Sequence, residues 1–240
     1  MNPEAAVVAI VIETLGATVQ GVFGFGINLV AAPLLVLVDP RFAPAPVVLA
    51  SLVGGALVTL REHGSIDRFS VAWALGGRLP GTALGALVVL AAAGARLRPV
   101  VGLVVLAAVA LSLAGGHRVR RNRRTLLGVG VVSGVMNMVA GLGGAPFGLV
   151  CQDLPGPVLR PTVALYVLIG GVLSSAALAA VGQVGTESLS LTALLVPGVF
   201  AGFGLSGLLV PLADRKAVAR PGILAIAAAG AVAVIVRGPW

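Results

Sequence analysis

With 240 residues, of which 58% are hydrophobic and only 10% charged, and a mean hydropathy of +1.10, the chain lies far from the soluble average of roughly 45–50% apolar and about 25% charged. That composition excludes an ordinary water-soluble fold, and the short polar stretches leave no room for a soluble domain. The net charge of +8 does not indicate nucleic acid, because the basic residues gather in short loops, chiefly Arg118, Arg120, Arg121, Arg123 and Arg124, where they flank apolar runs as topology signals.

In chain order, apolar runs fall near residues 5–38, 43–60, 69–93, 97–116, 125–150, 161–181, 189–213 and 217–236. The first begins after Met1-Asn2-Pro3-Glu4, which has no positive n-region, so it is expected to stay in the mature protein rather than act as a cleaved signal. It is too long for one span of about 20 residues and too short for two. Its middle reads Gln20-Gly21-Val22-Phe23-Gly24-Phe25-Gly26-Ile27-Asn28. Two arms of about 15 residues reach roughly 22 Å at about 1.5 Å per residue, which suits a hairpin dipping into the roughly 30 Å core, with the glycines as its turn. Glu13 is the one acidic residue deep in an apolar run.

The run 69–93 carries Arg78, and an arginine near the bilayer centre costs at least about 2.5–3.5 kcal/mol. Helical spacing puts it on the face of Gly81, Thr82 and Gly85, where small residues let another helix approach. Either Glu13 or an anionic ligand is expected to compensate it. The run 125–150 is broken like the first, at Gly141-Leu142-Gly143-Gly144-Ala145-Pro146, with Asn137 just before and Pro146 suited to the first turn of a restarting helix. Ser51, Tyr166, Ser174 and Ser175 are weaker polar candidates, because a hydroxyl in a membrane helix often bonds a nearby carbonyl. The single cysteine, Cys151, excludes an intramolecular disulfide, and no His/Cys/carboxylate cluster has metal-ligand spacing. No metal or cofactor is expected.

These features recur. Gly24 and Gly26 match Gly141 and Gly143, Pro80, Gly81 and Gly85 match Pro197, Gly198 and Gly202, and Gly54-Gly55 falls on Gly170-Gly171 after a slip of one, all about 117 positions apart. Charge separates two topologies. If both broken runs turn back, 11 basic residues (Arg61, Arg68, the five of 118–124, Arg160, Arg215, Lys216 and Arg220) face one side and 4 (Arg41, Arg96, Arg98 and Arg237) the other. Eight simple crossings divide the same residues 8 against 7, erasing the bias that sets orientation. The expected fold is therefore all-α and polytopic. It has two inverted repeats, residues 1–116 and 125–240, each with a broken re-entrant helical hairpin and three transmembrane helices. A basic cytoplasmic linker, 117–124, joins them, and the N-terminus lies outside.

A helix restarting near Asn28 or Pro146 offers unpaired N–H groups close to the midplane. The expected substrate site is thus Arg78 with Gln20, Gly24, Phe25, Gly26, Asn28, Asn137, Gly141, Gly143 and Gly144, and Gln152 lies beside the second break. Two such hairpin tips are expected to face one anion, with Glu13 as the candidate coupling residue and one repeat moving against the other to switch access. The paired order of Gly24-Phe25-Gly26-Ile27-Asn28 with Pro33, Gly141-Leu142-Gly143-Gly144-Ala145-Pro146, Pro80-Gly81-x-x-x-Gly85 and Pro197-Gly198-x-x-x-Gly202 resembles the sulfite exporter TauE/SafE family over about residues 5–236. The first repeat departs from the second in having Ile27-Asn28 after Gly26. The resemblance implies an inner-membrane transporter, an exporter of sulfite, organosulfonates or related small anions, and not an enzyme. Its partners would be the small anion and the lipid bilayer, with homo-oligomerisation left open. The alternatives are a passive anion channel and a rhomboid-like serine protease, the latter on Gly204-Leu205-Ser206-Gly207. A nucleophilic serine needs a base, and His63 and His117 both fall in expected loops.

Overall fold

The computed structural model describes residues 2–23, 26–61, 65–92, 97–114, 120–213 and 232. The described residues form α1 (Pro3–Phe23), α2 (Ile27–Val38), a 3-10 turn (Pro40–Phe42), α3 (Ala45–Arg61), α4 (Arg68–Ala91), α5 (Leu97–Ala114), α6 (Arg123–Ala140), α7 (Gly144–Val150), α8 (Gly156–Ala180) and α9 (Thr186–Ala213). Four stretches, Pro3–Val22, Arg68–Ala91, Gly156–Ala180 and Thr186–Val210, are long and apolar enough to cross a membrane. The expected eighth run, 217–236, lies outside the described residues except for Val232, and Gly24, Phe25, His63 and His117 lie outside them too.

Both broken runs are broken where expected, but their arms are unequal. α1 has 21 residues and α2 has 12, about 31 and 18 Å at 1.5 Å per residue. α6 has 18 and α7 has 7, about 27 and 10 Å. The expected arms of about 15 residues are corrected accordingly: only the second arm of each run is short. Helix α1 continues through Gln20 and Gly21 because its close partners hold it in register. The chain turns at Gly26, whose φ of 107° is left-handed, and at Gly141, whose φ is 68°. Beyond α7, the chain bends through Gln152, Asp153 and Leu154 before Pro155 starts the approach to α8.

Helix α1 packs along α9, α6 along α4, and α3 crosses α8. Gly198 faces Ile10 and Glu13, Gly202 faces Thr14 and Ala17, and Gly21 faces Ser206, so residue numbers rise together and the two helices run parallel. The same holds for Gly77 on Leu127, Gly81 on Val131 and Gly85 on Val135. Gly55 faces Leu168 and Gly171 faces Leu52, so α3 and α8 run antiparallel. Under the sequence correspondence, α1 on α9 maps onto α6 on α4, and α3 on α9 maps onto α8 on α4, a packing also present.

Ion pairs report which loops share a face. Arg121 bonds Asp67 at 2.5 Å and Asp153 at 3.0 Å, joining the segments before α4, before α6 and before α8. Burial alone would raise the Asp67 carboxyl, but hydrogen bonds from Ser70 and the charge of Arg121 outweigh it and hold the group below the ordinary carboxylate range. Arg41 bonds Asp39 at 2.6 Å and Glu187 at 2.7 Å, joining the α2–α3 turn to the start of α9. Eight simple crossings would put Asp153 opposite Asp67 and Arg41 opposite Glu187. Turning both broken runs back puts each group on one side. In a Cys151→Ser background, cysteines at 121 and 153 are expected to cross-link and to react with an impermeant maleimide from the same face. Labelling from opposite faces would overturn this parity.

Candidate functional site

The two breaks meet. Asn28, at the start of α2 and 1% exposed, donates from Nδ2 to the Val47 carbonyl at 3.0 Å and to the Gly141 carbonyl at 3.2 Å. It thus links the first break to the second, as the shared position of the glycine pairs leads one to expect. On the far side of that contact, Asn137 organises the second break from the last turn of α6. Its backbone carbonyl accepts from Gly141 N–H at 2.8 Å, and its Oδ1 accepts from Gly143 N–H at 3.1 Å. Groups freed by the interrupted helix are satisfied in this way without water, which a membrane interior requires. Gly144, buried at the start of α7, follows directly.

Arg78 reaches this break from α4. It is 0% exposed and donates from Nη1 to Ser133 Oγ at 3.2 Å, while Ser133 donates to the Gly143 carbonyl. Its Cζ lies 4.8 Å from the Tyr166 ring centroid, a cation–π contact that offsets part of the desolvation cost, and Tyr166 stacks on Phe147 at 4.0 Å between centroids. Two glycines make room. A Cβ at Gly170 would lie 2.1 Å from Arg78 Cζ, and one at Gly143 would lie 2.5 Å from Nη2. Side chains of α4, α6 and α8 and the backbone of the second break therefore converge on one guanidinium.

The other expected residues fall elsewhere. Gln20 is buried on α1, where a Cβ at Gly54 of α3 would lie 3.0 Å from its Nε2, and Gly26 caps α2 with no side-chain bond. Gln152 is half-buried in the turn after α7. The Arg78–Glu13 pair does not form: Glu13 is fully buried between α1 and α9, beside Gly198, and its carboxyl oxygens have no hydrogen-bond partner among the described residues. The physical reason is partner choice, since α1 packs on α9 and α4 on α6, which puts the two charges in different interfaces. Sequence reasoning missed Ser133 and the part played by Gly170. Both carried a signal, because Ser133 sits four residues before Asn137 and Gly170 four after Tyr166, on the same helix faces.

A second arginine cluster lies at the C-terminal end of α1, just before the first break. Arg61 donates to Ser206 Oγ at 2.9 Å and to the Gly21 carbonyl at 2.6 Å, and lies over the Phe203 ring at 4.5 Å. Ser206 in turn donates to the Phe203 carbonyl at 2.6 Å. The serine of the Gly-x-Ser-Gly motif is thus held between an arginine and a carbonyl, an arrangement that suits a helix contact rather than a nucleophile.

The model of the sulfite exporter TauE/SafE family matches residues 9–234. The chain belongs to that family. No curated protein and no solved structure matches it. TauE/SafE proteins are membrane exporters of sulfite and sulfonates, so the resemblance drawn from the glycine and proline pattern holds at the family level, and transport rather than catalysis is the family's activity.

Proposed function

We propose that this TauE/SafE protein is a secondary transporter that exports sulfite, an organosulfonate or a related small anion across the inner membrane, with Arg78 as its anion-binding residue. One observation carries the reading: a fully buried guanidinium is held beside the second break, which Asn28 ties to the first, and among the described residues no carboxylate is paired to it. A cation so placed in lipid is functional by default. Asn137 and Gly143 neighbour it, Gly141 and Gly144 complete the second break in this reading, and Asn28, Gly26 and Gln20 are assigned to the first, with Gly24 and Phe25 included from the sequence because they lie outside the described residues. Helix α2 starts at Ile27 with no side-chain cap, which adds positive potential from its first turn.

In this reading the segments 1–116 and 125–240 are inverted repeats about the linker 117–124, with the linker cytoplasmic and the N-terminus outside, and access alternates between the two faces. The antiparallel crossing of α3 on α8 and the exchange of packing partners between the halves support it. Glu13 is the coupling residue, a buried carboxyl in a glycine-lined interface separate from the anion site. Purified protein in vesicles, screened with sulfite, taurine, sulfoacetate and phosphate, is expected to move at least one sulfur oxyanion at transporter rates. Currents far above such rates would make it a channel, and movement of none of these anions would overturn the reading. A Glu13→Gln variant is expected to transport with a flattened pH dependence; a wild-type pH profile removes Glu13 from coupling.

A further inference from the structure

The Arg78 guanidinium is oriented as well as buried. Its Nη1 donates to Ser133 Oγ at 3.2 Å, and because Ser133 gives its own proton to the Gly143 carbonyl, the serine can only accept from the arginine. Tyr166 lies against the cation, and Gly170 leaves the space the group occupies, since a Cβ built there would lie 2.1 Å from Cζ and Nε and 2.5 Å from Nη1. Nε and Nη2 have no hydrogen-bond partner among the described residues. Those two nitrogens share one edge of the planar group, the fork that pairs side-on with two oxygens of a carboxylate, phosphate or sulfonate. Next to it, Asn137 has its amide oxygen held by Gly143 N–H at 3.1 Å, and its Nδ2 is a further buried donor without a partner among the described residues. The same hypothetical Cβ on Gly143 would lie 2.5 Å from Arg78 Nη2 and 2.7 Å from Asn137 Oδ1, so the two side chains are neighbours.

We propose that Arg78 grips two oxygens of one oxyanion through its Nε–Nη2 edge, that Ser133 is the positioning residue that turns this edge toward the ligand, and that Asn137 Nδ2 takes a third oxygen. The inference rests on Arg78 being the anion site and adds how it chooses. Three donors arranged in this way fit the three oxygens on the sulfur of a sulfonate or sulfite. A monatomic anion of the same charge can use only one of them at full strength. Selection is then by oxygen count and geometry, beyond charge alone.

Calorimetric titration of the purified full chain with methanesulfonate and with bromide, both monoanions, tests this. Wild-type protein is expected to bind methanesulfonate at least about tenfold more tightly than bromide. Arg78→Lys keeps the charge and loses the fork, and should bring the two affinities within about threefold of each other. Ser133→Ala should weaken methanesulfonate by roughly three- to tenfold and leave bromide unchanged, a split that a merely structural role for the serine would not produce. Equal wild-type affinities, absent methanesulfonate binding, or a wild-type ratio retained in both variants would overturn the proposal. Should either variant fail to run as a single species on size exclusion, the wild-type ratio decides alone. Methanesulfonate binding undiminished in Arg78→Ala is a different result: it removes Arg78 from the anion site and with it the underlying reading.

Discussion

Arg78→Ala is expected to lower anion export by about 100-fold or more while the protein stays folded, because truncating a buried charged hydrogen-bonding partner typically costs about 2–5 kcal/mol of binding. Folding should tolerate the change. The arginine itself costs at least about 2.5–3.5 kcal/mol to place near the bilayer centre, and among the described residues Ser133 and the Tyr166 ring offset part of this. Its removal leaves Ser133 bonded to the Gly143 carbonyl, so no new unpaired donor appears on α6. Efflux of labelled sulfite or taurine from vesicles, read beside a size-exclusion profile of the same preparation, separates loss of site from loss of fold. Undiminished efflux would exclude Arg78 from the transport path.

Gly81→Ala is expected to lower stability strongly. A Cβ at this position would lie 2.2 Å from the Val131 carbonyl oxygen and 2.7 Å from the Val131 Cα. Both are backbone atoms, so no rotamer change relieves the clash and α4 must move off α6. Overpacking of this kind costs about 1–3 kcal/mol or more, and here it opens the interface that presents Arg78 to Ser133. Gly128→Ala on the same α6 is the control, since nothing lies within 4 Å of its Cβ position, and replacing glycine in a helix should gain about 0.5–1 kcal/mol. Thermal unfolding in detergent is expected to fall for the first and to hold or rise for the second. Equal behaviour would mean that the close approach of α4 and α6 does not contribute to stability.

Much of this bundle is legible in the glycines. Gly77, Gly81 and Gly85 mark a face at helical spacing, and the structure puts α6 on that face. Arg78 could be assigned to the packed side of α4 from its distance to Gly81 and Gly85, and it is fully buried there. Counting arginines gave the parity that the Arg121 and Arg41 ion pairs support. Partner choice between distant helices was not legible: spacing says that Glu13 and Arg78 need company, and only packing determines that Glu13 meets α9 and Arg78 meets α6 and α8. The arm lengths were also hidden, because glycine is permitted inside a membrane helix when a neighbour fits against it, as Ser206 does at Gly21. Ser133 carried only the spacing to Asn137, four residues on along the same helix face, and that spacing names neither the carbonyl it bonds nor the arginine that bonds it.

The exchange of partners means that each half of the sequence is clasped by the other: α1 of the first half packs along α9 of the second, and α6 of the second along α4 of the first. In both pairs backbone meets backbone, with hypothetical Cβ positions 2.3 Å from Thr14 O at Gly202 and 2.2 Å from Val131 O at Gly81. Helices α3 and α8 join the two pairs, with a Cβ at Gly55 3.6 Å from Leu168 and one at Gly171 2.7 Å from Leu52 Cδ2. Arg78, Ser133 and Tyr166 belong to the α4, α6 and α8 side of the bundle, and Asn28 of α2 reaches the second break through the Gly141 carbonyl. During synthesis, moreover, α1 must wait in the membrane until α9 emerges, so a ribosome stalled before residue 186 would leave Glu13 facing lipid or a chaperone in place of its intended neighbour.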